Sequence, residues 1–257
     1  MRLIDTGYNN AAMNMAIDEA LLDSKEPILR FYRWKPAALS IGYFQSIKDF
    51  NFENLKKYNI DLVRRITGGN AVLHYKEITY SFIIDEKEMP KSVIESYRVI
   101  SNGLLNGLRI LGLKAQMNED VDKGETSAVC FNDPSWYEIV VNNKKMIGSA
   151  QKRINGRLLQ HGAILIDIDI EKYCSLFNNY NKNLIDKVKK RMTSINNELN
   201  KKIGYNDVKE AMRKGFEDNF KIRLREDRLT KEELAKAKEL SEKKYSTKEW
   251  NRKLFIK

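Results

Sequence analysis

Cys130 lies in the segment 127–131, between two polar, turn-rich stretches at residues 120–127 and 132–135. We therefore expect its thiol near a surface or cleft rather than within the core. A cysteine thiolate can open a thioester and hold the acyl group as a new thioester, which keeps that group activated. An arbitrary cysteine is more often a small buried residue, and we interpret Cys174, which is predicted to lie on an amphipathic helix, in that way.

A glycine pair follows two arginines in the segment 64–74. Glycine lets the backbone approach a ligand closely, so that N–H groups could receive a carbonyl or phosphate oxygen. Taken alone, a Gly-Gly step is most often only a turn. The candidate binding residues of this segment are Arg65, Thr67, Gly68, Gly69, Ala71, Val72 and His74.

Small residues recur in two predicted neighbouring strands, at residues 145–151 and 159–162. Small side chains leave room for a ligand beside a sheet, although they also fit a weakly packed edge strand. Lys145 lies in the first of these strands, and the residues alone are consistent with an exposed hairpin lysine like its neighbour Lys144. The further candidate binding residues are Gly148, Ser149, Ala150, Gln151, His161 and Gly162.

The chain has two histidines, His74 and His161, far apart in sequence and without cysteine or carboxylate at metal-ligand spacing. They could position a reacting group in a binding site, or they could be hydrogen-bonded structural residues. Phosphate-binding glycine loops, zinc-protease motifs and the serine-hydrolase elbow are missing from the sequence. We therefore expect neither a metal nor a cofactor.

Hydrophobic periodicity predicts an α+β fold, in which a mixed, mostly antiparallel sheet is flanked by helices. From residue 136 onwards the pattern indicates a three-stranded antiparallel meander, with a turn at Asn142-Asn143 because asparagine tolerates positive φ. We expect one large domain at residues 1–222 and a charged helical extension at residues 223–257 that packs only loosely. Strands are predicted at 2–5, 28–33, 38–43, 61–65, 71–74, 78–84, 136–141, 145–152 and 157–166, and helices at 9–22, 51–58, 91–111, 170–178, 184–190, 205–219 and 230–243.

The 257 residues carry a net charge of +11. This charge indicates either a lysine-rich solvated surface or an acidic partner. Positive residues are scattered among glutamates and accompany no nucleic-acid-binding motif. If the charge serves a partner, we therefore expect an acidic protein rather than nucleic acid. With no apolar run of membrane-spanning length and no signal-peptide pattern at the start, we expect a cytoplasmic protein without membrane contact, whose cysteines stay reduced.

In combination and in this order, the segments resemble the catalytic domain of the lipoate–protein ligase and octanoyltransferase superfamily, which is related to biotin–protein ligases. The similarity extends over roughly residues 1–180. It implies a biotin/lipoate protein ligase-like fold. The residues that carry it are 14–20, 39–45, 64–74, 145–151 and 159–162.

The segments 127–131 and 134–138 resemble the branch that takes octanoyl groups from acyl carrier protein in Gram-positive bacteria. The resemblance implies that Cys130 carries the acyl group, that Lys145 lowers the pKa of its thiol, and that a lipoyl domain such as glycine-cleavage H protein is the acceptor. Asn70 departs from the family pattern, which more often has Gly or Arg there. Two alternatives stay open: an ATP-dependent lipoate–protein ligase and an amidotransferase between lipoyl domains.

Overall fold

The computed structural model describes residues 1–118 and 138–253. Cys130 and most of the segments around it lie outside these residues. The strands are β1 (Arg2–Asn9), β2 (Ile28–Trp34), β3 (Ala38–Ile41), β4 (Asp61–Arg64), β5 (Val72–His74), β6 (Glu77–Asp85), β7 (Gln116–Asn118), β8 (Glu138–Val141), β9 (Lys144–Ile154), β10 (Arg157–Leu165) and β11 (Arg225–Asp227). The α-helices are α1 (Ala11–Ala20), α2 (Phe52–Lys57), α3 (Val93–Ile110), α4 (Ile170–Ser175), α5 (Lys182–Arg191), α6 (Ile195–Leu199), α7 (Tyr205–Phe220), α8 (Lys231–Leu240) and α9 (Lys248–Asn251).

Within the described residues, a large sheet has the strand order β11-β1-β2-β6-β10-β9-β8-β7. The pairs β11–β1 and β1–β2 are parallel, whereas the pairs from β2 to β7 are antiparallel. A second, separate small sheet has the strand order β4-β3-β5. The expected mixed, mostly antiparallel sheet with flanking helices is confirmed.

The two hairpins β8–β9–β10 form because their turns contain residues that accept positive φ. Asn142 and Asn143 have φ of 50° and 60°, and Asn155 and Gly156 have φ of 52° and 74°. Two successive left-handed residues make the tight turn whose twist matches that of antiparallel strands. The predicted meander and its Asn-Asn turn are therefore confirmed.

The large sheet buries both faces. On one face, strand residues such as Phe82 pack with α3 and α7 residues such as Leu104 and Phe216. On the other face, they pack with α1, with α8 and with buried residues of the small sheet. The space between the large sheet and the small sheet, beside α1, holds the pocket described below.

The C-terminal segment is docked on the rest of the chain, so the expectation of loose packing is wrong. β11 pairs with β1, and α8 packs along α1. The Arg64 guanidinium donates to the carbonyl oxygens of Trp250, Asn251 and Lys253. Parallel strand pairing and hydrogen bonds from Arg64 to backbone carbonyls hold the segment, and neither can be inferred from its charge pattern. The proposed domain boundary at residue 222 stays a prediction.

Candidate active site

A pocket with about 400 Å³ of space between protein atoms, including its open mouth, lies between the two sheets. Nine of the predicted binding residues line it, namely Arg65, Gly69, Val72, His74, Gly148, Ser149, Ala150, His161 and Gly162. The segments that stand out in the sequence therefore meet at one pocket, with the exception of the cysteine segment, which is not described.

His161 lies at the centre of a buried hydrogen-bond chain. Its Nδ1 is 2.9 Å from Asp18 Oδ2, and its Nε2 is 2.7 Å from the Thr67 hydroxyl. The Arg65 Nε donates to that hydroxyl oxygen over 3.2 Å. With the ring neutral and Nδ1–H donating to the carboxylate, Nε2 accepts the Thr67 proton, which fixes both the tautomer and the ring orientation.

Asp18 anchors this chain as an ionised carboxylate. Burial acts to raise the pKa of Asp18, but the Arg30 cation and the hydrogen bond from His161 outweigh it and hold that pKa below its ordinary value. Arg30 Nη1 donates to Asp18 Oδ1 over 2.6 Å, and the Tyr32 hydroxyl donates to Oδ2 over 2.8 Å. A buried charge that is paired and hydrogen-bonded in this way makes a rigid support for the pocket wall.

His74 forms a second chain of the same kind. Its Nε2 is 2.8 Å from the Ser40 hydroxyl, and its Nδ1 is 3.5 Å from Glu77 Oε1. Arg65 Nη1 donates to the Ser40 carbonyl oxygen over 3.0 Å. Burial, together with the Arg65 cation, lowers the pKa of His74 well below its ordinary value, and burial raises the pKa of Glu77 well above its own. Both shifts favour the uncharged forms of His74 and Glu77, in contrast to the ionised carboxylate of Asp18.

The side chain of Arg65 fixes the glycine loop at residues 68–70 through hydrogen bonds to its backbone carbonyls. Arg65 Nη2 donates to the carbonyl oxygens of Gly68 and Asn70, over 2.7 and 2.8 Å. Gly69 has φ of 85°, a backbone conformation that glycine adopts without strain. Gly42 packs directly against this loop, because a Cβ at residue 42 would lie 1.8 Å from the Gly69 carbonyl oxygen. Residue 42 in the segment 39–45 is therefore glycine because any side chain there would collide with the glycine loop.

Lys145 lies on the pocket face of the large sheet because of a bulge. Ile147 pairs with Ile139, whereas Lys145 pairs with Val140, so Met146 is the extra residue. Since each step along a strand reverses the face, the bulge brings Lys145 to the same face as Gly148. The Lys145 side chain is nearly buried, and its Nζ lies 2.6 Å from Glu138 Oε1. It is not an exposed hairpin lysine.

The remaining predicted residues take supporting positions. Thr67 is fully buried and reaches the pocket through His161. Ala71 is also buried, and its carbonyl oxygen accepts from the Tyr173 hydroxyl. Gln151 bonds to Ser96 of α3 on the opposite face, so the structure does not bring it to the pocket wall. Gly68 neighbours the wall through Gly69.

Sequence reasoning did not single out Asp18, Trp34, Thr79 or Glu138 as site residues. Trp34 and Thr79 line the pocket, Asp18 orients His161, and Glu138 pairs with Lys145. A signal for Asp18 exists, since a carboxylate interrupts the buried stripe of α1. A charged residue at a core position is there because something pairs with it. The sequence gives no comparable signal for Trp34, Thr79 or Glu138.

Cys174 is buried, as expected for a structural residue, and burial raises the pKa of its thiol to about 11. Cys130, the candidate nucleophile, lies outside the described residues. Among residues 1–118 and 138–253, no group of three or more His, Cys, Asp or Glu side chains is arranged to hold a metal ion. In the same residues, no helix has both the length and the apolar character that crossing a membrane requires.

The family described as lipoyl protein ligase A/B catalytic domain matches residues 10–217. Octanoyltransferase LipM of Bacillus subtilis strain 168 is 44% identical in an alignment of 271 positions that covers 98% of each chain. Among solved structures, a bipartite lipoate protein ligase of Thermoplasma acidophilum, studied with its E2 lipoyl domain, superposes with a TM-score of 0.84 at 29% identity, covering 100% of this chain and 97% of the other. A lipoate-protein ligase A bound with ATP superposes with a TM-score of 0.84 at 30% identity, covering 99% of both chains.

Proposed function

This chain belongs to the lipoyl protein ligase A/B catalytic-domain family, and we propose that it is the octanoyltransferase of protein lipoylation that works through a thioester on Cys130. It is an acyltransferase, as are its octanoyltransferase relatives of nearly the same length. The donor in this proposal is octanoyl-acyl carrier protein, and the acceptor is a lysine of a lipoyl domain such as glycine-cleavage H protein. The observation that carries the proposal is the pocket, where the family's glycine loop and small-residue strands meet.

Two half-reactions follow from this chemistry. The Cys130 thiolate attacks the donor's thioester carbon, a new C–S bond forms, and the carrier leaves as its thiolate, which takes up a proton. The neutral acceptor amine then attacks the Cys130 thioester, the C–N bond forms, and the cysteine sulfur leaves with the bonding pair. The amine loses one proton in forming the amide, so the cycle returns the enzyme unchanged.

Lys145 supplies positive charge in this scheme. A free thiol has a pKa of about 8.5, so only a few per cent is thiolate at neutral pH. A cation near the sulfur favours the anion. The support for this role is that Lys145 is almost removed from water, on the pocket face of the sheet, with its ammonium fixed by Glu138. Its low exposure limits screening of the charge by water, while the Glu138 carboxylate offsets part of that charge.

The glycine segments have the complementary role of receiving the thioester. Gly69 and Gly148 both line the pocket, and backbone N–H groups near them are our candidates for binding the carbonyl oxygen as negative charge develops on it. His161 orients the same wall through Asp18 and Thr67. His74, which is uncharged, forms part of the surface that meets the acyl chain.

The partners fit the charge of the chain. Acyl carrier proteins and lipoyl domains are acidic as classes, and a net charge of +11 speeds encounter with acidic proteins in a salt-sensitive manner. A lipoyl domain as acceptor is also consistent with the E2 lipoyl domain named beside the Thermoplasma ligase. The proposal includes a cytoplasmic location.

The test is a transfer assay with octanoyl-acyl carrier protein and apo glycine-cleavage H protein, without ATP. Intact mass spectrometry of the acceptor should show one octanoyl group. Cys130→Ser should abolish the product, whereas Cys174→Ala, a cysteine of the core, should retain it. Transfer that requires ATP and free octanoate would identify a ligase instead. Transfer only from an octanoylated lipoyl domain would identify an amidotransferase.

A further inference from the structure

Arg64 links helix α9 to the segment 42–45, which packs on the glycine loop. The Arg64 side chain is fully buried. Its Nη1 lies 2.8–2.9 Å from three backbone carbonyl oxygens of that segment, those of Gly42, Tyr43 and Gln45. Its Nε and Nη2 donate over 3.1–3.3 Å to three carbonyl oxygens of the C-terminal segment, those of Trp250, Asn251 and Lys253. One guanidinium therefore joins two stretches of backbone that are far apart in sequence.

Two side chains of α9 also bind the backbone of Arg64. Asn251 Oδ1 accepts from the Arg64 N–H over 2.8 Å, and the Trp250 indole N–H donates to the Arg64 carbonyl oxygen over 2.8 Å. Arg64 ends β4, which is an edge strand of the small sheet. The two side chains thus satisfy backbone groups that a further strand would otherwise bind.

The segment 42–45 contacts the glycine loop from both sides of its glycine pair. The Tyr43 N–H donates to the Thr67 carbonyl oxygen over 2.8 Å, and Gly42 packs directly on Gly69. A shift of the segment would break the hydrogen bond at Thr67 and release the close contact at Gly69. Whatever fixes the segment 42–45 therefore also fixes the glycine loop.

Helix α9 is itself fixed to α1. The Tyr245 hydroxyl and the Lys244 ammonium both donate to the carboxylate of Glu19 on α1. The Trp250 ring meets the Tyr245 ring edge-on, with centroids 5.8 Å apart, and the Asn251 amide donates to the Tyr245 carbonyl oxygen over 2.7 Å. The C-terminal helix is therefore held on the same helix that supplies the carboxylate partner of the pocket histidine.

Given the proposed function, on which this inference rests, we infer that Asn251 and Trp250 are positioning residues for acyl transfer. They act through Arg64 and the segment 42–45, and they hold the glycine loop where its N–H groups meet the thioester carbonyl oxygen. Donors that are fixed before the reaction stabilise the developing negative charge most effectively, and a small misplacement of them slows the chemical step. Both residues lie beyond the span 10–217 that matches the family.

The experiment uses Asn251→Ala, which removes the acceptor of the Arg64 N–H, and Trp250→Phe, which keeps a ring but removes the indole donor. Steady-state transfer from octanoyl-acyl carrier protein to apo glycine-cleavage H protein gives kcat and KM. We expect kcat to fall about tenfold in Asn251→Ala and about threefold in Trp250→Phe. KM for the carrier should stay within about twofold of wild type, because the lost interaction is made in the transition state.

Hydrogen exchange with mass spectrometry measures the glycine loop directly. Backbone amides at residues 67–70 should exchange faster in both variants, by about tenfold in Asn251→Ala, because the segment that holds them is no longer fixed. Trp250→Phe is the milder change and keeps the comparison measurable if Asn251→Ala does not fold.

Glu233→Gln is the matched control, because it weakens the anchoring of the same C-terminal segment at Arg2 rather than at Arg64. Arg2 Nη1 donates to Glu233 Oε1 over 2.5 Å, and Arg2 Nη2 donates to Oε2 over 2.9 Å. This variant should lose stability but keep the wild-type kcat. Its amides at residues 67–70 should also exchange at the wild-type rate.

A lower kcat together with faster exchange at residues 67–70, in the α9 variants but not in Glu233→Gln, supports the inference. Faster exchange confined to residues 231–253, with kcat unchanged, would show an anchor of the C-terminal segment alone and overturn it. A lower kcat without faster exchange of the loop would overturn it as well. A wild-type enzyme that transfers no octanoyl group would instead overturn the proposed function, and the exchange comparison can be made without any transfer.

Discussion

Lys145 and Glu138 form an ion pair on the pocket face of the large sheet, with Nζ 2.6 Å from Oε1. Both side chains are largely shielded from solvent. The pair depends on the bulge at Met146, without which Lys145 would face α3. We propose this ammonium as the source of the positive charge that favours the Cys130 thiolate.

Lys145→Met should lower the reactivity of Cys130, because the thiol loses the cation that favours its anion. We expect alkylation of Cys130 by iodoacetamide at pH 7 to slow by about tenfold or more, with the midpoint of its pH profile moving upward. Peptide mass spectrometry measures the labelling. Cys174 should stay unlabelled, because it is buried and its pKa is about 11.

Lys144→Met is the control for the same charge change one residue away. It should leave the rate and the midpoint at wild-type values. Equal rates and midpoints in Lys145→Met and the wild type would contradict the role given to Lys145.

Asp18→Asn should destabilise the protein by about 3–5 kcal/mol, because it leaves the buried Arg30 guanidinium without its negative partner. Denaturant unfolding measures the loss. Asp23→Asn removes an exposed carboxylate that pairs with Lys236, and it should cost less than about 1 kcal/mol. Similar losses in the two variants would show that the Asp18 network is not a structural support.

Gly42→Ala should displace the glycine loop, because the new Cβ would meet the Gly69 carbonyl oxygen. The contacted atom belongs to the backbone of Gly69, which cannot shift as easily as the end of a flexible side chain. We expect loss of most transfer activity together with a lower melting temperature. Gly204→Ala, where the added Cβ has its nearest contact at 3.5 Å, should keep activity and lose less than about 1 kcal/mol. Wild-type activity in Gly42→Ala would exclude the close packing of these two loops.

Glu77→Gln should make the protein more stable relative to wild type as pH rises. Burial raises the pKa of Glu77, so the folded protein keeps a proton that the unfolded chain loses above pH about 4.3. The contribution of Glu77 to wild-type stability therefore falls with rising pH, by up to about 1.4 kcal/mol per pH unit until the folded-state pKa is reached. Glutamine does not ionise, so Glu77→Gln removes this pH dependence of the free energy of unfolding.

The measurement is the free energy of unfolding from pH 4 to pH 8, with Glu88→Gln as an exposed control. The difference between Glu77→Gln and wild type should increase steadily above pH about 4.3, whereas the control should run parallel to wild type. A constant or shrinking difference for Glu77→Gln would mean that the folded protein ionises this group.

Alternation and turn chemistry were sufficient to predict the meander, because the Asn142-Asn143 and Asn155-Gly156 turns are local signals. β11 was not predictable. It has three polar residues and forms only because β1, more than 200 residues earlier, offers it a parallel partner. The docking of the C-terminal segment through Arg64 is equally non-local.

The site shows the same division. The glycine loop, the small-residue strands and both histidines were predicted and meet at the pocket. The face on which Lys145 lies was not predictable, because a single extra residue at Met146 decides it. Nor was the use of the two arginines, which bind loop carbonyls whose positions depend on the tertiary fold. Trp34 follows the predicted strand at 28–33, and its stacking on His74 depends on the tertiary fold.

The most direct test of the account is intact mass spectrometry of the enzyme after mixing with octanoyl-acyl carrier protein, with neither ATP nor an acceptor present. The account predicts one octanoyl adduct that maps to Cys130, is absent in Cys130→Ala, and disappears when apo glycine-cleavage H protein is added. An octanoyl group found only on another residue, or transfer to the acceptor at the wild-type rate in Cys130→Ala, would contradict it.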